Sequence, residues 1–249
     1  KTGGLADVVG ALPKEFDRSE WDIRVVLPDY TCIPPQYRDS FQYVCHFQMG
    51  MGSYIGERYV GVMQYEYQGI TYYFIDNLEY FECFYPYGDT RYDIEKFIFF
   101  DKAVLSMLPL IDFQPDIIHC HGWMTALAPL YIKKAYKDEP SFRDAKVVFS
   151  VFEDDFKESF NADFVNRLVL KGVTKKDVAH LKAPVDYATL CKLAIDYADG
   201  IIQQSEKVNE EVMEYARQSG KPILEYQTPE TFADACNEFY DKVWETEQK

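Results

Sequence analysis

A chain of 249 residues, 47% hydrophobic and 27% charged, carries enough apolar surface for one large core or two small ones. Its formal net charge of −15 excludes broad binding to nucleic acid or to an anionic membrane, because phosphate-rich partners need Lys and Arg to displace their counterions. No apolar run approaches the ~20 residues of a membrane helix, and Cys32, Cys45, Cys83, Cys120, Cys191 and Cys236 form no CxxC pair, so they read as thiols of a reducing cytoplasm.

The chain begins with Lys1-Thr-Gly-Gly-Leu-Ala-Asp7, a Gly-rich turn running into an apolar helical pattern at Leu5, Val8, Val9 and Leu12. Glycines at a helix start let free N–H groups approach an anion, and Lys1 adds a point charge; a plain tight turn fits the same residues. Residues 21–28 (WDIRVVLP) predict a buried strand, with Asp29 and Tyr30 just beyond it as a turn or a sugar contact. Between 41 and 76 the pattern alternates around Gln68-Gly69, predicting an antiparallel, aromatic-rich hairpin. Residues 79–92 read as a surface loop in which Tyr80, Phe81, Phe84, Tyr85, Tyr87 and Tyr92 could stack on a carbohydrate. With 20 Tyr and 18 Phe in the chain, core and hairpin packing explains many of the rings equally well.

Helical spacing follows over 95–110, then a strand at 116–120 bounded by Pro115, then a helix over 124–136. His119, His121 and Trp123 therefore fall at the carboxyl end of a strand, where ligands bind in open α/β sheets. His119 fits a core histidine as well as a sugar contact, and Trp123 fits packing. A second buried strand at 146–152 (KVVFSVF) runs straight into Glu153-Asp154-Asp155, three acids that read as a solvated loop or a metal cluster. Helices are predicted over 160–172 and 186–199, a strand at 200–204, a helix capped by Ser205, and a last helix with Thr228 as N-cap and Pro229 at its first position. Strands alternating with helices predict an α/β fold with a mainly parallel, doubly wound, Rossmann-like sheet, carrying the aromatic hairpin as an insertion.

KTGGLADVVGALPK, with the later LPDY and DIIHCHGWMTALAP, resembles the N-terminal domain of bacterial glycogen synthases and plant starch synthases. The resemblance implies one half of a two-domain glycosyltransferase, in which glucose passes from ADP-glucose to the non-reducing end of an α-1,4-glucan. By position it implies that Lys1, Gly3 and Gly4 lie against the donor diphosphate and that Asp7 faces the donor pocket. His119, His121 and Trp123 would line the cleft, and Tyr80, Tyr85, Tyr87 and Tyr92 would meet glucan. It implies no cofactor or metal, with ADP-glucose as a substrate. The implied partners are an α-glucan and a full-length synthase or a chain supplying the second domain, with no nucleic acid or membrane.

The resemblance is strong from Lys1 to about Val151 and departs at two positions. Where the family usually has HCHDWQTA this chain has Gly122, and where it usually has an HNL turn this chain has Phe152 and Glu153. Neither glycine nor phenylalanine places a proton, so the resemblance implies weak or no activity for this chain alone, or an α-glucan-binding or regulatory role. The second half resembles short single-domain synthase-like proteins more than full synthases, leaving open a natural one-domain relative or a junction of two related sequences near 119–127. Residues 1–249 are expected to form a single domain, with 228–247 as a helix packing back on it. The fold's first strand is expected upstream of Lys1, and a chain carrying about six such residues is expected to be more stable.

Overall fold

The computed structural model describes residues 4–52, 55–82, 90–157, 159–160, 162–168 and 171–246, without the side chains of 90–94 and 162. Lys1, Gly3, Phe84, Tyr85 and Tyr87 lie outside the described residues, as does the side chain of Tyr92. Contacts divide the chain into two compact units, Lys1–Ile111 and Asp112–Lys249.

The first unit opens with α1 (Gly4–Glu15), followed by β1 (Arg24–Pro28) and the short α2 (Pro35–Arg38). Then come β2 (Gln42–Gly50), β3 (Glu57–Tyr67) and β4 (Ile70–Asp76), in the strand order β1-β4-β3-β2. β1 pairs parallel with β4, whereas β2, β3 and β4 form an antiparallel meander. The predicted turn closes β3 onto β4 with Gln68 at φ 52° and Gly69 at φ 73°. Two consecutive positive φ values match the strand twist that two-residue hairpins need. Val25, Ile70, Tyr72 and Phe74 form a core cluster on one face of this sheet, covered by Val9 of α1 and by Phe41 and Met63. The ring of Phe41 stacks on Phe74 at 4.0 Å. The unit ends in α3 (Leu78–Phe81), α4 (Thr90–Met107) and a 3-10 turn, Leu108–Ile111.

In the second unit β5 (Ile117–His121) leads into a 3-10 turn, Trp123–Thr125, and α5 (Ala128–Lys133). The helix expected over 124–136 is thus broken, because Pro129 is tolerated only in a first helical turn and α5 restarts at it. β6 (Lys146–Val151), α6 (Ala162–Leu168), α7 (Tyr187–Tyr197), β7 (Gly200–Gln203), α8 (Glu210–Gln218), β8 (Ile223–Leu224) and α9 (Pro229–Glu245) follow. All pairings in the order β5-β6-β7-β8 are parallel. Every residue of β6 is buried, which is why KVVFSV reads as a continuous apolar run rather than an alternating one. α9 covers β7 so closely that a Cβ on Gly200 would lie 2.6 Å from Val243. Among the described residues no helix is long and apolar enough to cross a membrane.

Candidate functional site

The carboxyl ends of β5 and β6 bring together His119, His121 and Trp123 of the residues singled out in the sequence, with the acids that follow β6. His119 and His121, two apart on one strand, share a face, and their rings stack 3.8 Å apart. His119 is held from both sides: Nδ1 lies 2.6 Å from the Tyr240 hydroxyl of α9, and Nε2 lies 2.6 Å from Oγ of Ser150 in β6. A neutral imidazole donates from one nitrogen and accepts at the other, so one of these hydroxyls accepts and the other donates. Burial drives the pKa of His119 well below the ordinary value, helped by His121, and burial pushes His121 down to about 4. Both rings are neutral at pH 7. His119, expected to line the cleft, has both nitrogens engaged within the protein, so of the two rings His121 alone can orient an incoming hydroxyl, and neither offers a positive charge to a phosphate.

One polar atom at this turn is left over. Nδ1 of His121 is buried and has no hydrogen-bond partner among the described residues. Past it the chain turns at Gly122, with φ 77° and ψ 171°, a backbone region that is essentially glycine's alone. Its N–H donates to the Ser150 carbonyl at 3.0 Å, extending the β5–β6 ladder by one bond, and Trp123 packs edge-on against Phe156 at 4.7 Å.

Asp154 ties the two strand ends together. Oδ2 accepts the backbone N–H of Trp123 at 3.3 Å, and Oδ1 lies 2.8 Å from the hydroxyl of Tyr187, the first residue of α7. The same hydroxyl is 3.2 Å from the Phe152 carbonyl. Burial raises the Asp154 pKa to about 6, against these two hydrogen bonds. A carboxyl that titrates near neutrality at the end of a parallel strand is chemically able to hold or release a proton there.

The three successive acids diverge. The Glu153 N–H donates to Ser205 Oγ at 3.0 Å, while Asp155 accepts from Asn209 Nδ2 at 2.9 Å. Among the described residues no three His, Cys, Asp or Glu side chains come together to hold a metal. Ser205, expected as a helix cap, serves this loop instead, and Asn209 caps α8 by accepting the Val212 N–H at 3.2 Å. Asp154 was visible in the sequence only as one of three acids. Ser150, Tyr187 and Tyr240 were not singled out, since a buried hydroxyl carries no sequence signal until its partner is known.

In the first unit Gly4 opens α1, and Asp7 stands exposed in its first turn, where the helix dipole favours a carboxylate. Tyr80, expected in an exposed loop, instead lies in α3 with a buried ring packed 4.6 Å from Phe99. Its hydroxyl donates to Glu95 at 2.5 Å and accepts from Arg58 at 3.1 Å. With both ring and hydroxyl engaged, Tyr80 has no face open for a sugar. Phe81 is also fully buried. Asp29 is buried and chelated by Arg38 at 2.7 and 3.2 Å.

A mixed α/β fold whose second unit is built on the parallel sheet β5-β6-β7-β8, with polar side chains gathered at its strand ends, defines a Rossmann-like half of an α/β protein. The starch synthase catalytic domain family matches residues 1–224. The chain belongs to that family. It is 41% identical over 223 residues to a glycogen synthase of Lachnospira eligens, covering 85% of this chain and 44% of the relative. Glycogen synthase of Lachnoclostridium phytofermentans is 46% identical over 157 residues, covering 63% of this chain and 32% of the relative. This chain spans less than half the length of these curated relatives. The catalytic domain of starch synthase IV from Arabidopsis thaliana, solved with ADP and acarbose, superposes with a TM-score of 0.75 at 20% identity, over 92% of this chain and 48% of that one.

Proposed function

We propose that this chain is the glucan-facing part of a glycogen or starch synthase, contributing to transfer of glucose from ADP-glucose to the end of an α-1,4-glucan. The observation that carries the reading is the family match across residues 1–224. The site agrees with it chemically: neutral His121 suits an uncharged sugar hydroxyl, which would satisfy its buried, unpartnered Nδ1, while His119, bonded at both nitrogens to Tyr240 and Ser150, backs that ring instead of meeting the sugar. Asp154 is placed to exchange a proton near neutral pH. Lys1, Gly3, Gly4 and Asp7 form the donor side in this reading, Tyr85, Tyr87 and Tyr92 remain the loop candidates for glucan, and the donor nucleotide is gripped mainly by a second domain, in the same chain or a partner. No metal or cofactor takes part.

The test is incorporation of labelled glucose from ADP-glucose into glycogen, by the purified chain alone and mixed with a nucleotide-binding synthase domain. Turnover in the mixture that falls on His121→Ala supports the reading. Absence of both turnover and glycogen retention overturns it.

A second reading, a non-catalytic glucan binder or regulator, is favoured by two positions. Gly122 occupies a glycine-only conformation and Phe152 is buried, where the family usually presents polar side chains. Glycogen retention on a native gel, with no turnover in any mixture, would select it.

A further inference from the structure

Two more buried polar atoms of the second unit share the condition of His121 Nδ1: Gln204 Oε1 and Asn237 Oδ1 have no hydrogen-bond partner among the described residues. Strand register puts His121 and Gln204 on one face of the sheet. His121 pairs with Ser150 and Ser150 with Ile202, so these side chains point the same way. Gln204, two residues beyond Ile202, keeps that direction, because its N–H still extends the ladder to the Val151 carbonyl at 2.9 Å. α9 covers the same face, with Tyr240 on His119 and Val243 over Gly200. The helix runs against the strands, since Lys146 at the start of β6 donates to the Thr246 carbonyl just past the end of α9. Asn237, one turn before Tyr240, therefore stands nearer the carboxyl ends, at the level of His121 rather than of His119. Phe152 lies between β5 and β7, its buried ring 6.1 Å from that of His121.

We infer that His121, Gln204 and Asn237 hold one hexose unit of the glucan beside Phe152, which makes Gln204 and Asn237 binding residues of the candidate site. The inference rests on the glucan reading proposed above and adds two contacts that the sequence pattern did not single out. Each orphaned atom gives up its hydration with nothing in return, and three of them about one ring at the strand ends ask for a common partner. Two are amide oxygens, which accept; the third is a ring nitrogen of a neutral imidazole, which accepts or donates according to its tautomer. None of the three side chains carries a positive charge, so a phosphate finds no counterion here, whereas a neutral guest rich in hydroxyls matches every group. Phe152 supplies the apolar patch that the C–H face of a sugar covers. His121 and Gln204 stand two strand spacings and two residues apart, about 12 Å between backbones, which side chains of this length narrow to the width of a hexose. All three residues are only partly buried, so a guest reaches them from the strand ends.

The test is calorimetric titration of the full chain with maltoheptaose, beside thermal unfolding of the same proteins. Gln204→Leu and Asn237→Leu keep much of each side chain's shape and delete the orphaned oxygen. Each is expected to weaken binding roughly three- to tenfold while the melting temperature holds or rises, because an apolar group replaces an unsatisfied one. Those opposite signs separate a contact to sugar from a packing role. Unchanged affinity in both leucine variants, with affinity lost in His121→Ala, overturns the inference and leaves the proposed function standing. Unchanged affinity with a lowered melting temperature assigns the two oxygens to buried water and overturns it too. Affinity and melting temperature falling together in both variants would make them packing residues whose loss deforms the site, which also overturns the contact. No maltoheptaose binding by the native chain overturns this inference and the proposed function alike.

Discussion

The Tyr240 hydroxyl on α9 stands 2.6 Å from Nδ1 of His119 on β5, joining the last helix of the chain to the strand that carries both site histidines. Tyr240 is buried, and its other neighbour is Cys236 one turn earlier, whose thiol is pushed up to about 12, chiefly by burial. Tyr240→Phe keeps the ring and deletes the hydroxyl, leaving an enclosed imidazole nitrogen unpaired. A loss of roughly 1–2 kcal/mol is expected in denaturant unfolding. The ring nitrogen shifts of His119 should move at the same time, because the group that fixes its tautomer on that side is gone. Unaltered nitrogen shifts would mean that Ser150 alone sets the tautomer.

Asp154 gives the second unit a pH dependence of definite sign. Its folded pKa is raised from 3.8 to about 6, so the protonated form is favoured by folding. The stability this group adds is fully present below the unfolded value of 3.8 and is lost as pH rises through about 6. The native chain should therefore weaken across that window relative to Asp154→Asn, which has nothing to ionise. The expected difference is on the order of 1–3 kcal/mol, reduced by whatever solvent reaches the carboxyl. Parallel unfolding curves for the two proteins across the window would refute the assignment.

Gly122 is not simply an acidic residue with its side chain removed. At φ 77° and ψ 171° the backbone is one that L-residues avoid, so restoring the family's usual aspartate must strain or rotate the peptide that bonds Ser150. Gly122→Asp is expected to cost roughly 1–3 kcal/mol in stability, and Gly122→Ala nearly as much, since the penalty belongs to the backbone rather than the carboxylate. Stability unchanged in both variants would show that the turn relaxes freely.

The order of strands and helices was legible because each buried parallel strand announces itself as an apolar run, KVVFSV above all, and because Gln68-Gly69 is a hairpin turn in sequence as in structure. That the candidate site's His121 and Gly122 close a strand was legible for the same reason. The site's chemistry was not. Nothing local distinguishes Asp154 from Glu153 and Asp155; burial beside partners distant in sequence makes the difference, with Tyr187, whose hydroxyl bonds the carboxylate, 33 residues on. Tyr80 failed for a related reason: a tyrosine amid polar and aromatic neighbours reads as exposed until Glu95 and Arg58 are seen to claim its hydroxyl. Local pattern reports burial on average, while long-range partners decide individual side chains.

The end of α7 supplies a final test, of an anchor remote in sequence. A helix leaves its last carbonyls without intrahelical donors, and here Lys221 meets the need. Its ammonium lies 2.6 Å from the Ile195 carbonyl, 2.7 Å from Asp196 and 2.7 Å from Ala198, close to ideal use of three donors. Burial lowers the Lys221 pKa, yet the carbonyl dipoles at a helix C-terminus favour the charge that burial opposes. Lys221→Met keeps the stem and removes the donors, so a loss of about 1–3 kcal/mol is expected. Hydrogen exchange locates the effect: protection should fall first in the last turn of α7 and the start of β7, which Asp199 ties to β6 through the Val147 N–H at 2.7 Å. Lys221→Arg should recover part of the protection, because a guanidinium still donates but spreads its hydrogens in a plane that three converging carbonyls do not match. If exchange there is unchanged in Lys221→Met, water serves the carbonyls as well as the lysine does, and α7 is held by its packing alone.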